Sequence, residues 1–333
     1  MTKLLSVENR TSGGPPIFIV GCFRSGTTLL RAMLANHPDV AIPPESHFIP
    51  RVWAVRRRYG DGGAFDAHRL VSDITATARF KQWHLPKEVV LNHVREVNPR
   101  DFAATIEAVF TAYARHHDRR RWGDKTPGYS LELRLLGRLF PSARFINIVR
   151  DGRDVALSFI EMGATSRLVD VATAWATRVR KARADGIALG RDRYVEVRYE
   201  DLIEDPTRIV EQVCSHVDLD FRPEMLEYYK GIDRLVPHGE RHIHRNLGRP
   251  PTKGLRDWRT QMDKADVRLF EAVAGNELTD FGYERVARAI PARSRARALA
   301  AKMGNAGTRL SWSTRRWALL RLKPNSLPLP RRW

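Results

Sequence analysis

Two groups of residues in this 333-residue chain combine types and spacings suited to gripping an anion. The first is Gly21-Cys22-Phe23-Arg24-Ser25-Gly26-Thr27-Thr28, with glycines where a chain must bend tightly, three hydroxyls and one guanidinium. The second is Arg150 followed eight residues later by Ser158. A guanidinium holds a phosphate through two parallel hydrogen bonds, and a nearby hydroxyl completes the cradle. Two further positions could act on a bound molecule. Glu45, in Pro43-Pro44-Glu45-Ser46-His47, could take a proton from a hydroxyl, and its loop is stiff because proline fixes φ and restricts its predecessor. Lys125, between Gly123-Asp124 and Thr126-Pro127, is a lysine in rigid surroundings that can be aimed at an anion. Each has a plainer reading beside it: a glycine turn capped by hydroxyls, a solvated loop carboxylate, a surface lysine.

The elements that must position these residues follow from hydrophobic periodicity. Residues 17–20 form an apolar run of the length of a buried strand, and residues 27–36 keep a helical period that His37-Pro38 breaks. The first anion group is therefore a strand-to-helix loop, where free backbone N–H groups meet the positive end of the helix dipole and make a seat for phosphate. Its spacing nearly copies the triphosphate loop G-x-x-x-x-G-K-[ST], but Thr27 stands where the lysine belongs and the basic residue is Arg24. Phosphate is expected there, and a magnesium triphosphate is not. Residues 144–149 predict a second buried strand, turning at Arg150 into a helix that carries Asp154, expected to cap or steady its start, and Ser158. Residues 40–42 and 193–197 predict further short strands, the latter running into Arg198-Tyr199-Glu200-Asp201-Leu202, and Asp205-Pro206 opens a helix. Residues 121–127 read as a loop, and residues 99–117, 131–140, 169–189 and 265–278 as helices. This alternation predicts an α/β fold of three layers, a central parallel sheet flanked by helices. Open α/β sheets bind ligands beyond the carboxyl ends of their strands, which would bring Glu45 and His47 beside the phosphate loop.

Taken together, these motifs resemble the sulfotransferases that use 3′-phosphoadenosine 5′-phosphosulfate. That family's 5′-phosphosulfate loop reads basic-Ser-Gly-Thr-Thr, as Arg24-Ser25-Gly26-Thr27-Thr28 does, and its 3′-phosphate motif pairs an arginine with a serine eight residues on, as Arg150 and Ser158 do. In motif the chain is most similar to the tyrosylprotein sulfotransferases and their bacterial relatives, through residues 24–29, 31–34, 37–40, Glu45 and residues 49–51. The resemblance, which runs over residues 16–284, implies a P-loop-like fold and an enzyme that moves a sulfuryl group in line onto an acceptor hydroxyl or amine. It implies Glu45 as general base, with Arg24 and Lys125 stabilising the sulfuryl oxygens and the leaving group. Ser25, Gly26, Thr27 and Thr28 would hold the 5′-phosphate, and Arg150 and Ser158 the 3′-phosphate. Tyr199, in a Tyr-Glu-Asp-Leu segment, would approach the donor, and Lys253 and Arg256, in an inexact copy of the family's Lys-Gly segment, would fold over its 3′-phosphate. No metal is implied. His47 stands where those relatives carry an arginine that handles the acidic peptide, which speaks against a peptidyl tyrosine acceptor; the base is either Glu45 or His47, and the acceptor stays open among carbohydrate, lipid, peptide and small molecule.

Composition bounds the alternatives. The formal net charge is +19, but residues 285–333 hold 13 Lys or Arg and no Asp or Glu, leaving only +6 for the rest. That distribution fits a folded enzyme with a basic tail rather than a uniformly basic nucleic-acid binder, and no nucleic-acid partner is expected. Trp312, Trp317 and Trp333 suit the tail either to an anionic membrane surface or to a solvated state. Two cysteines exclude a disulfide framework and a structural zinc site. His238, His242 and His244 lie near Arg241, Arg245 and Arg249 without carboxylate or cysteine partners at metal spacing. No 18-residue apolar run exists, and residues 1–15 read as a flexible lead-in, so the expected location is cytoplasmic, either free or peripheral at a membrane through the tail. The rival readings are a P-loop kinase or nucleotide hydrolase, disfavoured by the missing loop lysine, and a membrane or nucleic-acid binding protein acting through the tail.

Overall fold

Ile17, Phe18, Ile19 and Val20 are apolar on both faces of the strand, and all four are fully buried, as the middle strand of a helix-covered parallel sheet must be. The structure, a computed structural model, describes residues 13–60, 65–163, 167–231, 245–252, 254 and 256–286. Its sheet holds β1 (Ile17–Gly21), β2 (Val40–Ala41), β3 (Arg121–Lys125), β4 (Arg144–Val149) and β5 (Tyr194–Arg198) in the order β2-β3-β1-β4-β5. All neighbouring pairs are parallel, with Ile17 opposite Gly123 on one side and opposite Arg144 on the other. The three-layer α/β expectation is met.

Alternation along β1 divides the core into two layers. Phe18 and Val20 join a cluster containing Phe48, Phe110, Trp122, Phe140 and Phe145, in which Phe18 stacks on Phe145 at 5.3 Å and meets Trp122 edge-on at 5.7 Å. Ile17 and Ile19 face Leu30, Met33, Ile146, Ile148, Val210 and Val213. A third cluster, built on Trp175, Trp258 and Phe270, packs beyond the end of β4. The helices used below are α1 (Thr27–Ala35), α2 (Ile49–Ala54), α3 (Phe102–His116), α4 (Gly152–Glu161), α5 (Leu168–Leu189), α6 (Tyr199–Glu204), α7 (Pro206–His216) and α8 (Lys264–Asp280). Several start on aspartate caps, of which the one at Asp205 was legible in the sequence. Asp101 accepts from the Ala104 N–H at 2.8 Å, and Asp205 accepts from the Arg208 N–H at 3.1 Å ahead of Pro206.

The segment expected to be a loop at residues 121–127 is instead mostly strand β3, with every residue from Arg121 to Lys125 buried. Charged residues mask the strand pattern, and each finds partners inside the fold: Arg121 donates to the Pro15 and Val217 carbonyls, Asp124 accepts from Ser46 and Thr126, and Lys125 donates to Glu45. The helix expected over residues 131–140 runs over Leu133–Leu139, and a 3₁₀ segment, Pro127–Leu131, precedes it. Asp154 does not cap α4. Asp151 does, accepting from the Arg153 N–H at 2.9 Å, because it sits at the non-helical position before the first turn.

The chain begins in the middle of the sheet, moves out to β2, returns through β3 and then crosses β1 to reach β4 and β5. The crevice lies where that order reverses, outside the carboxyl ends of the strands. The loop of residues 22–26 after β1, Glu45 after β2, Lys125 at the end of β3, Arg150 after β4 and Tyr199 after β5 all belong to this one edge. Among the described residues no helix is long and apolar enough to cross a membrane. Residues 1–12, His238, Arg241, His242, His244, Lys253 and residues 287–333, which carry most of the basic tail, lie outside the described residues.

Candidate active site

The loop after β1 is held open at its helix end. Helix α1 begins at Gly26 with no side chain capping it, so its first N–H groups are left for another acceptor. Gly26 has φ +96°, and a Cβ there would lie 2.4 Å from Cδ2 of Tyr199, so glycine is needed both for the turn and for the ring that covers it. Arg24 adopts φ +68°, a conformation that costs a non-glycine residue about 1–2 kcal/mol. Ser25 is fully buried, and its Oγ has no hydrogen-bond partner among the described residues. A buried hydroxyl without a partner costs about 1–3 kcal/mol, which a bound anion would recover. Burial pushes the Cys22 thiol up to about 11, which fits a packed turn residue rather than a nucleophile.

The second anion group meets the first. Nε of Arg24 donates to Oγ of Ser158 at 2.8 Å, joining the β1 loop to α4 across 134 residues of sequence. Burial first, and then the nearby Arg256 and Arg150 charges, lower the Arg24 guanidinium to about 10, while Glu161 opposes them. Arg24 therefore stands in the field of two further cations, Arg150 and Arg256, a setting suited to an anion. Arg150 is 5% exposed, its guanidinium lies 4.5 Å from the centre of the Tyr199 ring, and its Nε has no partner among the described residues. Its backbone is fixed by two bonds: its carbonyl accepts from Nε1 of Trp175 at 3.0 Å, and the next amide, at Asp151, donates to Oε1 of Glu200 at 2.9 Å. Arg256 is ion-paired with Glu161. Asp154 lies 3.6 Å from Arg150 and accepts from the Trp258 N–H at 2.9 Å, so it ties the Arg256 segment to the cradle. Burial raises the Asp154 carboxyl to about 6, against the pull of Arg150.

The third group forms around Lys125. Its Nζ donates to Oε1 of Glu45 at 2.6 Å and to Oγ1 of Thr28 at 3.2 Å, so one ammonium links the loop carboxylate to the phosphate loop. The other Glu45 oxygen, Oε2, lies 2.6 Å from Nε2 of His47. Burial drives the Glu45 carboxyl up, but Lys125 and His47 together outweigh it and hold the group well below the usual carboxylate range. Glu45 is thus ionised at neutral pH and reachable, its side chain 21% exposed.

The structure brings together the described residues expected to bind the donor or act in transfer: Arg24 to Thr28, Glu45, Lys125, Arg150, Ser158, Tyr199 and Arg256. Lys253 lies outside the described residues. Arg24 contacts Ser158 rather than Lys125, so the guanidinium inside the loop stands with the second cradle. Sequence reasoning missed Glu200 and Asp124 as supports. Glu200 had a visible clue, since it follows Tyr199 directly, whereas Asp124 was hidden by the loop reading of β3.

The model of the family described as "Sulfotransferase family" matches residues 15–223. The chain is 28% identical over 236 residues to protein-tyrosine sulfotransferase 2 of Gallus gallus, covering 68% of this chain and 58% of that one. It is 25% identical over 297 residues to nodulation protein NoeE of Sinorhizobium fredii, covering 80% of this chain and 66% of that one. The chain therefore spans less than two thirds of either relative's length. Among solved structures, the sulfotransferase domain of the Synechococcus olefin synthase superposes with a TM-score of 0.55 at 26% identity, covering 85% of this chain and 99% of that domain.

Proposed function

The chain belongs to the sulfotransferase family, and from that premise we propose that it transfers a sulfuryl group from 3′-phosphoadenosine 5′-phosphosulfate to an acceptor hydroxyl or amine, with Glu45 as general base. The observation that carries this reading is the Lys125 ammonium shared between Glu45 and Thr28, which links a proton acceptor to an anion seat. The residues present fit such a donor. Ser25 Oγ and Arg150 Nε, buried without a partner among the described residues, call for acceptor oxygens, and the Arg24 guanidinium, repelled by Arg150 and Arg256, calls for a highly charged anion. Ser25, Gly26, Thr27, Thr28 and the first amides of α1 would hold its 5′-phosphate, and Arg150 and Ser158 its 3′-phosphate. Tyr199 and Arg256 would flank the nucleotide. Bound there, such a donor supplies a sulfuryl group on a good leaving oxygen.

The chain's own part is orientation, charge and one proton. Lys125 and Arg24 supply positive charge at the loop, where negative charge develops during transfer. Glu45 accepts the acceptor's proton. While Lys125 stays on Glu45 the carboxylate is a weak base, and an anion on the Thr28 side competes for that ammonium. As Lys125 shifts toward the loop, Glu45 loses its main countercharge, and burial then makes it more basic. Acceptor proton removal is thereby tied to occupation of the loop.

The test is incubation with radiolabelled 3′-phosphoadenosine 5′-phosphosulfate and a panel of saccharides, lipids, tyrosine peptides and small phenols and amines. Tyrosine peptides are included because one relative is named a protein-tyrosine sulfotransferase. Label should pass to one acceptor class, with or without a metal chelator. A protein that neither binds 3′-phosphoadenosine 5′-phosphate in calorimetry nor transfers label to any acceptor would refute the assignment.

A further inference from the structure

Beneath the Lys125–Glu45 pair lies a second, fully buried set of polar groups that the proposed chemistry does not use. Asp124, Ser46 and Thr126 are 0% exposed and Tyr129 is 3% exposed. Ser46 Oγ donates to Oδ2 of Asp124 at 2.5 Å, and Thr126 Oγ1 donates to Oδ1 of Asp124 at 2.7 Å. Ser46 Oγ also lies 2.8 Å from the Tyr129 hydroxyl. Two backbone amides feed this set: the Ser46 N–H donates to Thr126 Oγ1 at 3.1 Å, and the Ile49 N–H donates to the Tyr129 oxygen at 3.1 Å.

The directions are forced. An ionised carboxylate only accepts, so the Ser46 proton points to Asp124, and Tyr129 must then donate to Ser46. Both amides bracketing His47 are thus satisfied through hydroxyls whose protons all run toward one carboxylate. His47 itself has φ +53°, a conformation its side chain disfavours, so the turn needs holding. Lys125–Glu45 and Asp124–Ser46 are adjacent rungs between β3 and the proline loop. A buried carboxylate with no ion-pair partner among the described residues is costly to keep, and packing alone does not require one.

We propose that Asp124, acting through Ser46, Thr126 and Tyr129, is the positioning residue that holds Glu45 and His47 in reach of Lys125 and of the acceptor. The proposal rests on the sulfuryl-transfer reading of the same site. The charged and titratable groups facing Asp124 are Glu45 and His47 from the proline loop, with Lys125 its neighbour on β3 and Tyr129 in the segment that follows; Arg51 of α2 acts on Tyr129. Burial raises the Asp124 carboxyl to about 6 even though Ser46 and Thr126 donate to it. Below that pH a protonated Asp124 must donate one bond where it accepted one, and a hydroxyl that had donated to it must turn away.

The experiment measures donor-dependent turnover against pH and 3′-phosphoadenosine 5′-phosphate affinity by calorimetry, for wild type, Asp124→Asn and Ser46→Ala. Wild-type turnover should fall as pH drops through about 6. Asp124→Asn puts an NH₂ donor where an acceptor is required. It should lower kcat about 10- to 100-fold at neutral pH, with the acid limb gone and nucleotide affinity within about threefold. Ser46→Ala should lower kcat in the same direction, and it decides the matter if Asp124→Asn does not fold by circular dichroism. Variants with wild-type kcat and an unmoved acid limb overturn the proposal. So does an equal loss in kcat and nucleotide affinity, which would mark general collapse of the site. A wild-type protein that binds the nucleotide but transfers nothing removes the sulfuryl-transfer reading, and this inference with it. An active wild type with unaffected variants removes the inference alone.

Discussion

Replacing Arg150 by alanine tests the nucleotide assignment most directly, because the ligand can be altered at the same contact as the protein. The guanidinium is buried, lies 4.5 Å from the Tyr199 ring centre and has an Nε without a partner among the described residues, so its capacity for charged hydrogen bonds is available to a ligand. Hydrogen bonds to a charged group are worth about 1.5–3 kcal/mol, which converts to about 10- to 150-fold in affinity. The complication is Asp154, 3.6 Å away, which loses its cation. Its carboxyl already stands at about 6, so losing Arg150 pushes it further toward the neutral form and no bare charge is stranded. Calorimetry with 3′-phosphoadenosine 5′-phosphate and with adenosine 5′-monophosphate, on wild type and Arg150→Ala, closes a double-mutant cycle. The bisphosphate should weaken by that factor and the monophosphate by less than about threefold. Equal losses for both ligands would mean that Arg150 supports the fold or the 5′ side. No loss for either would remove it from the site.

Three other outcomes follow from the geometry. Glu45→Gln should lower turnover by about 10²- to 10⁴-fold while leaving nucleotide affinity nearly intact, and steady-state kinetics with wild-type turnover would exclude Glu45 as the base. Gly26→Ala should weaken nucleotide binding, since its Cβ would meet Tyr199 at 2.4 Å on a backbone at φ +96°. Adding Tyr199→Ala should restore only part of that affinity, because the backbone strain remains. Asp154→Asn concerns stability. Folding raises the carboxyl from its ordinary value near 4 to about 6, so its contribution is fully present below about pH 4 and is lost as pH rises through about 6. Asparagine stays neutral and keeps an oxygen for the Trp258 N–H, so the variant should gain in melting temperature over wild type between pH 4 and pH 8. A gap that does not change with pH would refute this reasoning.

The two anion cradles were legible in the sequence because each is local. Residues 21–28 and 150–158 are each a strand end, a turn and a helix start, and their glycines, hydroxyls and arginines act within one turn of chain. The middle strand was legible for a related reason: a run buried on both faces carries only apolar residues. The cap at Asp205 likewise depends on a neighbour three residues away. Strand β3 was not legible, since Arg121, Asp124 and Lys125 look like surface residues until their partners are known. Those partners lie about 80 or more residues away in sequence, at Pro15, Ser46, Glu45 and Val217.

By itself, then, the sequence determined which segments have the turns and side chains of an anion seat and that they follow strands of an α/β sheet, because backbone geometry and side-chain type set those properties over a few residues. Only the tertiary structure decided that Arg24 reaches Ser158, that Asp151 rather than Asp154 caps α4, and that Lys125 stands between Glu45 and Thr28. Those pairings depend on strand order, and strand order comes from how three separate apolar clusters pack across the whole chain.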